Sequence, residues 1–146
     1  MVFHLYIYRG FNLDIKFFRM KKVIFTEKAP LPVGPYSQAV EANGMLFIAG
    51  QVPLDPASGK LAEGGIAGQT RQVMENIGAI LEAAGYGFGD VVKSTCLLAD
   101  MADFKAMNEV YALYYCELPP ARVAFAVKQL PLGALVEIET MAVRQV

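Results

Sequence analysis

At 146 residues and 15.9 kDa, with 55% hydrophobic and 18% charged residues, the chain is about one domain long and poor in the polar groups that a lone subunit needs over its surface. A formal charge of −1 and a pI of about 5.8 argue against nucleic acid as a partner, and no apolar run reaches the ~18 residues of a membrane span. A single histidine, His4, and two cysteines without metal-site spacing, Cys96 and Cys116, argue against Ser-His-Asp or Cys-His catalysis and against the usual zinc hydrolases.

Residues 1–19 (MVFHLYIYRGFNLDIKFFR) are aromatic and basic, with one acid, Asp14, and no clean period. They read as an extension, disordered or mis-started, with Met20 as an alternative start and a single domain over residues 20–146. His4 falls in that extension. Proton transfer in the domain is therefore left to a carboxylate, a tyrosine, a lysine or water. Both cysteines lie in apolar segments and read as buried free thiols of a reducing, cytoplasmic compartment.

Residues 22–26 (KVIFT) read as a short strand, followed by a loop, APLPVGPYSQ, whose Pro30, Pro32 and Pro35 forbid helix. Strand-like residues 39–42 and 45–49 flank Asn43-Gly44, the strongest short hairpin signal, because both residues tolerate positive φ. A loop over 50–65 carries a second turn, DPASGK. An amphipathic helix over 66–84 has Ile66, Thr70, Val73, Ile77, Ile80, Leu81 and Ala84 on one stripe, with Gly85 as its cap. Residues 91–99 form a strand. Asp100 caps a second helix through about residue 115, with Phe104, Met107, Val110, Tyr111 and Tyr114 inward. Strands over 122–129 and 135–143 complete the order β-β-β-α-β-α-β-β. This is an α+β domain with both helices on one face of a mixed sheet. The strands LFIAG, VVKSTCLLA and VAFAVKQL are apolar at nearly every position, so both sheet faces need cover. Two helices cover one face; neighbouring subunits are expected on the other.

Several residues could carry chemistry. Arg122, in PPAR, enters an apolar strand and suits bidentate capture of a carboxylate, or else an intersubunit salt bridge or a snorkelling surface position. Glu137 and Glu139 share a face with Leu135 and Met141, opposite Val136, Ile138 and Ala142. That face is either the intersubunit side, where a desolvated glutamate serves as acid/base, or simply solvated. Tyr36 sits in a rigid loop and can hold a ligand or pack. Gly50 lets a ligand approach the backbone. Asn108 on the second helix is unremarkable alone.

Together, GPYSQAV, IAGQVPLDPASGK, QTRQVMENIGAILEAAG, DMADFKAMNEVY, PPARVAFAV and VEIETMAV, in that order, resemble the RidA/YjgF reactive-intermediate deaminases from about residue 20 to 144. The resemblance implies a chorismate-mutase-like fold and a homotrimer with sites between subunits. It also implies cofactor-free hydrolysis of 2-imino acids, such as 2-iminobutanoate and 2-iminopropanoate, to 2-keto acids. By motif, Arg122 corresponds to the carboxylate-binding arginine and Glu137 to the water-positioning glutamate. Tyr36 matches the tyrosine of GPY, Gly50 the backbone-contact glycine and Asn108 the helix asparagine. Ala124 stands where a cysteine is common in the family, at a place that uses main-chain groups, and Ala49 stands where serine is frequent. Rival readings are a non-catalytic 2-keto acid sensor, an endoribonuclease or translation inhibitor, and a chorismate mutase. The last is disfavoured by a domain whose arginines are only Arg71, Arg122 and Arg144.

Overall fold

In a computed structural model, residues 21–144 are described; the expected extension over residues 1–19 lies outside them. Their elements follow as β1 (Lys22–Ile24), β2 (Ala39–Ala42), β3 (Met45–Gln51), α1 (Gly65–Ala84), β4 (Val91–Leu98), α2 (Phe104–Ala112), β5 (Ala121–Ala126) and β6 (Val136–Val143). Asn43 and Gly44 both take positive φ, 52° and 73°, and close the β2–β3 hairpin as expected. Gly85 ends α1 in the left-handed region, where its N–H returns to the Glu82 carbonyl.

The sheet runs β1-β2-β3-β6-β4-β5. Each pair is antiparallel except β4 and β5, whose parallel pairing needs the crossover that α2 supplies. The apolar stripe of α1 (Val73, Met74, Ile77, Ile80, Leu81) and Met107 of α2 are buried against Leu46, Ile48, Leu98, Val136 and Ile138 of the sheet. Burial of each such side chain stabilises by roughly 1.5–3 kcal/mol. The expected mixed sheet with two helices on one face is therefore what forms, and neither helix is long and apolar enough to cross a membrane.

Local departures have physical causes. The second helix opens as a tight turn, Met101–Asp103, where the Asp100 carboxylate accepts from the Ala102 N–H. It ends at Ala112 rather than near residue 115. Leu113, Tyr114 and Tyr115 donate three residues back instead of four, so the last turn tightens out of α geometry. The fifth strand stops at Ala126, short of residue 129. Strand β3 continues through Gly50 to Gln51 across an irregularity opposite β6. Cys96 is buried, and burial pushes its thiol up to about 11; Cys116, expected to be buried, is exposed.

The sheet face away from the helices carries an apolar patch beside Glu137 and Glu139. Val23, Val40, Phe47 and Met141 stand in register across β1, β2, β3 and β6, while Val123 and Phe125 extend the patch on β5. Phe47, Val123 and Phe125 are 41%, 41% and 45% exposed, too much apolar surface in one place for a face meant for water.

Candidate active site

Strand alternation decides where Glu137 points. Val136 and Ile138 are fully buried beneath the helices, so Glu137 between them faces the outer side of β6. There the irregularity in β3 brings Gly50 against it. A Cβ built at Gly50 would overlap the Glu137 carboxylate, so the glycine leaves room for this side chain as it stands, and Gly50 also lines the cavity described next. Glu137 is half-buried; burial raises its pKa above the usual carboxylate range, and the Glu139 charge raises it further.

Glu137 lines a cavity of about 560 Å³ with Leu31, Val33, Tyr36, Leu54 and Leu132, and among the described residues it is the one carboxylate there. Buried polar side chains hold the cavity's loops. Gln38 donates to the carbonyls of Thr26 (2.9 Å), Ala29 (3.2 Å) and Pro30 (2.9 Å), and its Oε1 accepts from the Thr26 N–H. Asn76 donates to the carbonyls of Val52 and Leu54, and Gln69 accepts from the Leu135 N–H. Each is buried and satisfied, which makes these loops costly to move. Tyr36 stands at the rim, half exposed, its Oη accepting from the Val33 N–H at 3.4 Å.

Arg122 lies elsewhere. On β5 it pairs in register with buried Ser94, so its side chain takes the helix side of the sheet. Its guanidinium carbon is 4.7 Å from the Tyr111 ring centroid and 5.5 Å from that of Phe104. With Asn108, Tyr115, Pro119 and Pro120 it lines a second cavity, of about 390 Å³, between α2 and β5. Ala124, two residues on, lies in neither cavity. It packs against the core in register with Cys96, whose buried thiol is protonated at neutral pH.

The structure thus gathers Tyr36, Gly50 and Glu137 at one cavity, and Arg122 and Asn108 at another. Glu137 pairs with Leu97 and Arg122 with Ser94, on strands flanking β4. That separates them by about 10 Å along the strands and about 10 Å across, on opposite faces. They cannot meet within one subunit. Phe104 and Tyr111, read from the sequence as core residues only, also form the bed under Arg122. Their spacing with Asn108, at i, i+4 and i+7, is the signal that ties all three to one helix face.

Comparison with known proteins identifies the family. The endoribonuclease L-PSP family model matches residues 26–144. A RutC family protein of Pyrococcus horikoshii is 60% identical over 126 residues, covering 86% of this chain and 100% of the relative. The 2-iminobutanoate/2-iminopropanoate deaminase of Mus musculus is 51% identical over 125 residues, covering 86% and 93%. Among solved structures, RidA from the Antarctic bacterium Psychrobacter superposes with a TM-score of 0.81 at 46% identity, covering 84% of this chain and 99% of that one. Escherichia coli TdcF with bound serine superposes with a TM-score of 0.82 at 38% identity, covering 85% and 99%. With residues 26–144 matched by the family model and the solved RidA structure superposing over 84% of the chain, the chain belongs to the endoribonuclease L-PSP, or RidA/YjgF, family.

Proposed function

We propose that the protein is a hydrolytic deaminase of 2-imino acids, 2-iminobutanoate and 2-iminopropanoate among them, with each site completed between subunits of a homotrimer. The observation that carries this reading is the separation of Arg122 and Glu137 into two cavities on one subunit. The mouse relative's name supplies the reaction class. A carboxylate anchor and an acid/base group that are apart in one chain become partners when the apolar outer faces pack and bring Glu137 of one copy to Arg122 of the next.

In this mechanism Arg122 forks the substrate carboxylate, and Asn108 borders the anchored end. Glu137, with its carboxyl seated by Gly50, holds a water over the imine carbon, and Tyr36 orients the substrate from the rim. The imine nitrogen takes a proton from solvent, and the water oxygen then bonds to C2 while the C=N π pair moves to nitrogen and Glu137 takes a water proton, giving a neutral carbinolamine. Glu137 returns that proton to nitrogen, the C–N bond breaks and ammonia leaves. The remaining hydroxyl proton is lost as the 2-keto acid forms. Imine plus water becomes keto acid plus ammonia. Burial, and then the Glu139 charge, raise the Glu137 pKa, which strengthens it as the base that takes the water proton.

The test supplies imine from a threonine dehydratase and measures its disappearance with and without the protein. Acceleration supports the reading; 2-oxobutanoate binding without acceleration makes the protein a sensor, and cleavage of labelled RNA alone makes it a nuclease. Two further outcomes are expected. Gly50→Ala pushes the Glu137 carboxylate aside and lowers kcat about 10²-fold, as for other small misplacements of a reacting group, measured in the same assay. Val123→Asp places a charge on the outer face, so light scattering reports a mass below the wild type's three subunits. Activity is lost while circular dichroism keeps its helix and strand signature.

A further inference from the structure

Resting on the carboxylate-anchoring role of Arg122, we infer that Tyr111, backed by Phe104, is a positioning residue that fixes the plane of the Arg122 guanidinium for substrate capture. Arginine is long and rotamer-rich, and a loose guanidinium would have to be ordered each time a carboxylate bound. Among the described residues the Arg122 guanidinium makes no hydrogen bond and no ion pair. What restrains it is aromatic: the Tyr111 ring at 4.7 Å and the Phe104 ring at 5.5 Å, both inside the ~6 Å range of cation–π attraction. Stacking uses only the flat face of the guanidinium. Its five N–H groups, all at the edge, stay free for a bidentate partner.

Tyr111 is itself immobile. It is 4% exposed, and its ring packs at 4.7 Å against that of Tyr115. Its hydroxyl is buried beside Ser94 and Tyr115. The ring is the part of this side chain that lies against the Arg122 guanidinium. Helical spacing then adds Asn108 to the same pocket, one turn from each ring.

The experiment measures 2-oxobutanoate affinity by calorimetry, with KM and kcat in the imine assay, for Tyr111→Leu, Tyr111→Phe, Phe104→Leu and Arg122→Ala. Leucine keeps an apolar side chain at the site but has no π face. Tyr111→Leu is expected to weaken binding and raise KM about 10-fold with little change in kcat. Tyr111→Phe restores affinity to within about 2-fold of wild type, which a role for the hydroxyl would not allow. Phe104→Leu, removing the more distant ring, costs about 3-fold and stands in for Tyr111→Leu if that variant does not fold. Wild-type affinity in Tyr111→Leu, or in Phe104→Leu when it is the substitute, overturns the inference. So does a phenylalanine variant as weak as the leucine one. If Arg122→Ala itself binds 2-oxobutanoate normally, the failure lies with the anchoring role, whatever the ring variants do.

Discussion

Arg122→Ala is expected to lower kcat/KM for imine hydrolysis by about 10²–10⁴-fold. The magnitude follows from two charge-assisted hydrogen bonds to a carboxylate, each about 1.5–3 kcal/mol, since every 1.4 kcal/mol is roughly tenfold. Losing them also removes the geometry that places C2 over its water. Arg122→Lys recovers only part of the rate, because an ammonium is a point charge that neither forks a carboxylate nor stacks on Tyr111 in the same way. Stability should change little, since among the described residues the guanidinium holds no other group by hydrogen bond or ion pair. Coupled assays with threonine dehydratase check the rate, and wild-type-like turnover in Arg122→Ala would remove this residue from the mechanism.

Glu137→Gln is expected to lower kcat by about 10²–10⁴-fold with KM nearly unchanged, since amide and carboxylate are alike in size but only the carboxylate moves a proton. The same variant should be more stable than wild type at neutral pH. Burial, and then the Glu139 charge, raise the folded-state pKa of Glu137 above its unfolded value. A carboxyl shifted upward contributes stability that is fully present below the ordinary carboxylate range and is lost as pH rises through the folded pKa. At neutrality the wild type carries the cost of a desolvated charge that glutamine lacks. Melting temperatures of the two proteins should therefore diverge at neutral pH and converge in acid. A glutamine variant less stable at neutral pH would mean that an attractive contact, not desolvation, governs Glu137. In wild type, kcat should fall in acid with a midpoint above the usual carboxylate range, as the base form disappears.

Two features of the described residues cost stability. A charge at Glu137 is half-buried against Gly50, and Phe47, Val123 and Phe125 are exposed on the outer face of the sheet.

Much of this was legible in the chain itself, because the signals are local. Asn43-Gly44 dictates its turn through allowed dihedrals, and Gly85 ends α1 for the same reason. The stripe from Val73 to Ala84 specifies a helix by its 3.6-residue period, and the two-residue period of β6 sends Glu137 to the outer face before any partner strand is known. Tertiary structure alone decided the rest. Strand β6 enters between β3 and β4, which sets Glu137 beside Gly50 and two strands away from Arg122, and no neighbouring residue encodes that order. The end of α2 at Ala112, the exposure of Cys116 and the rings under Arg122 likewise depend on which surfaces meet across long stretches of chain. Dihedral preference and periodicity act between near neighbours, whereas the choice of contact between distant segments is made by the burial of the whole domain, which is summed over the chain rather than written at any one position.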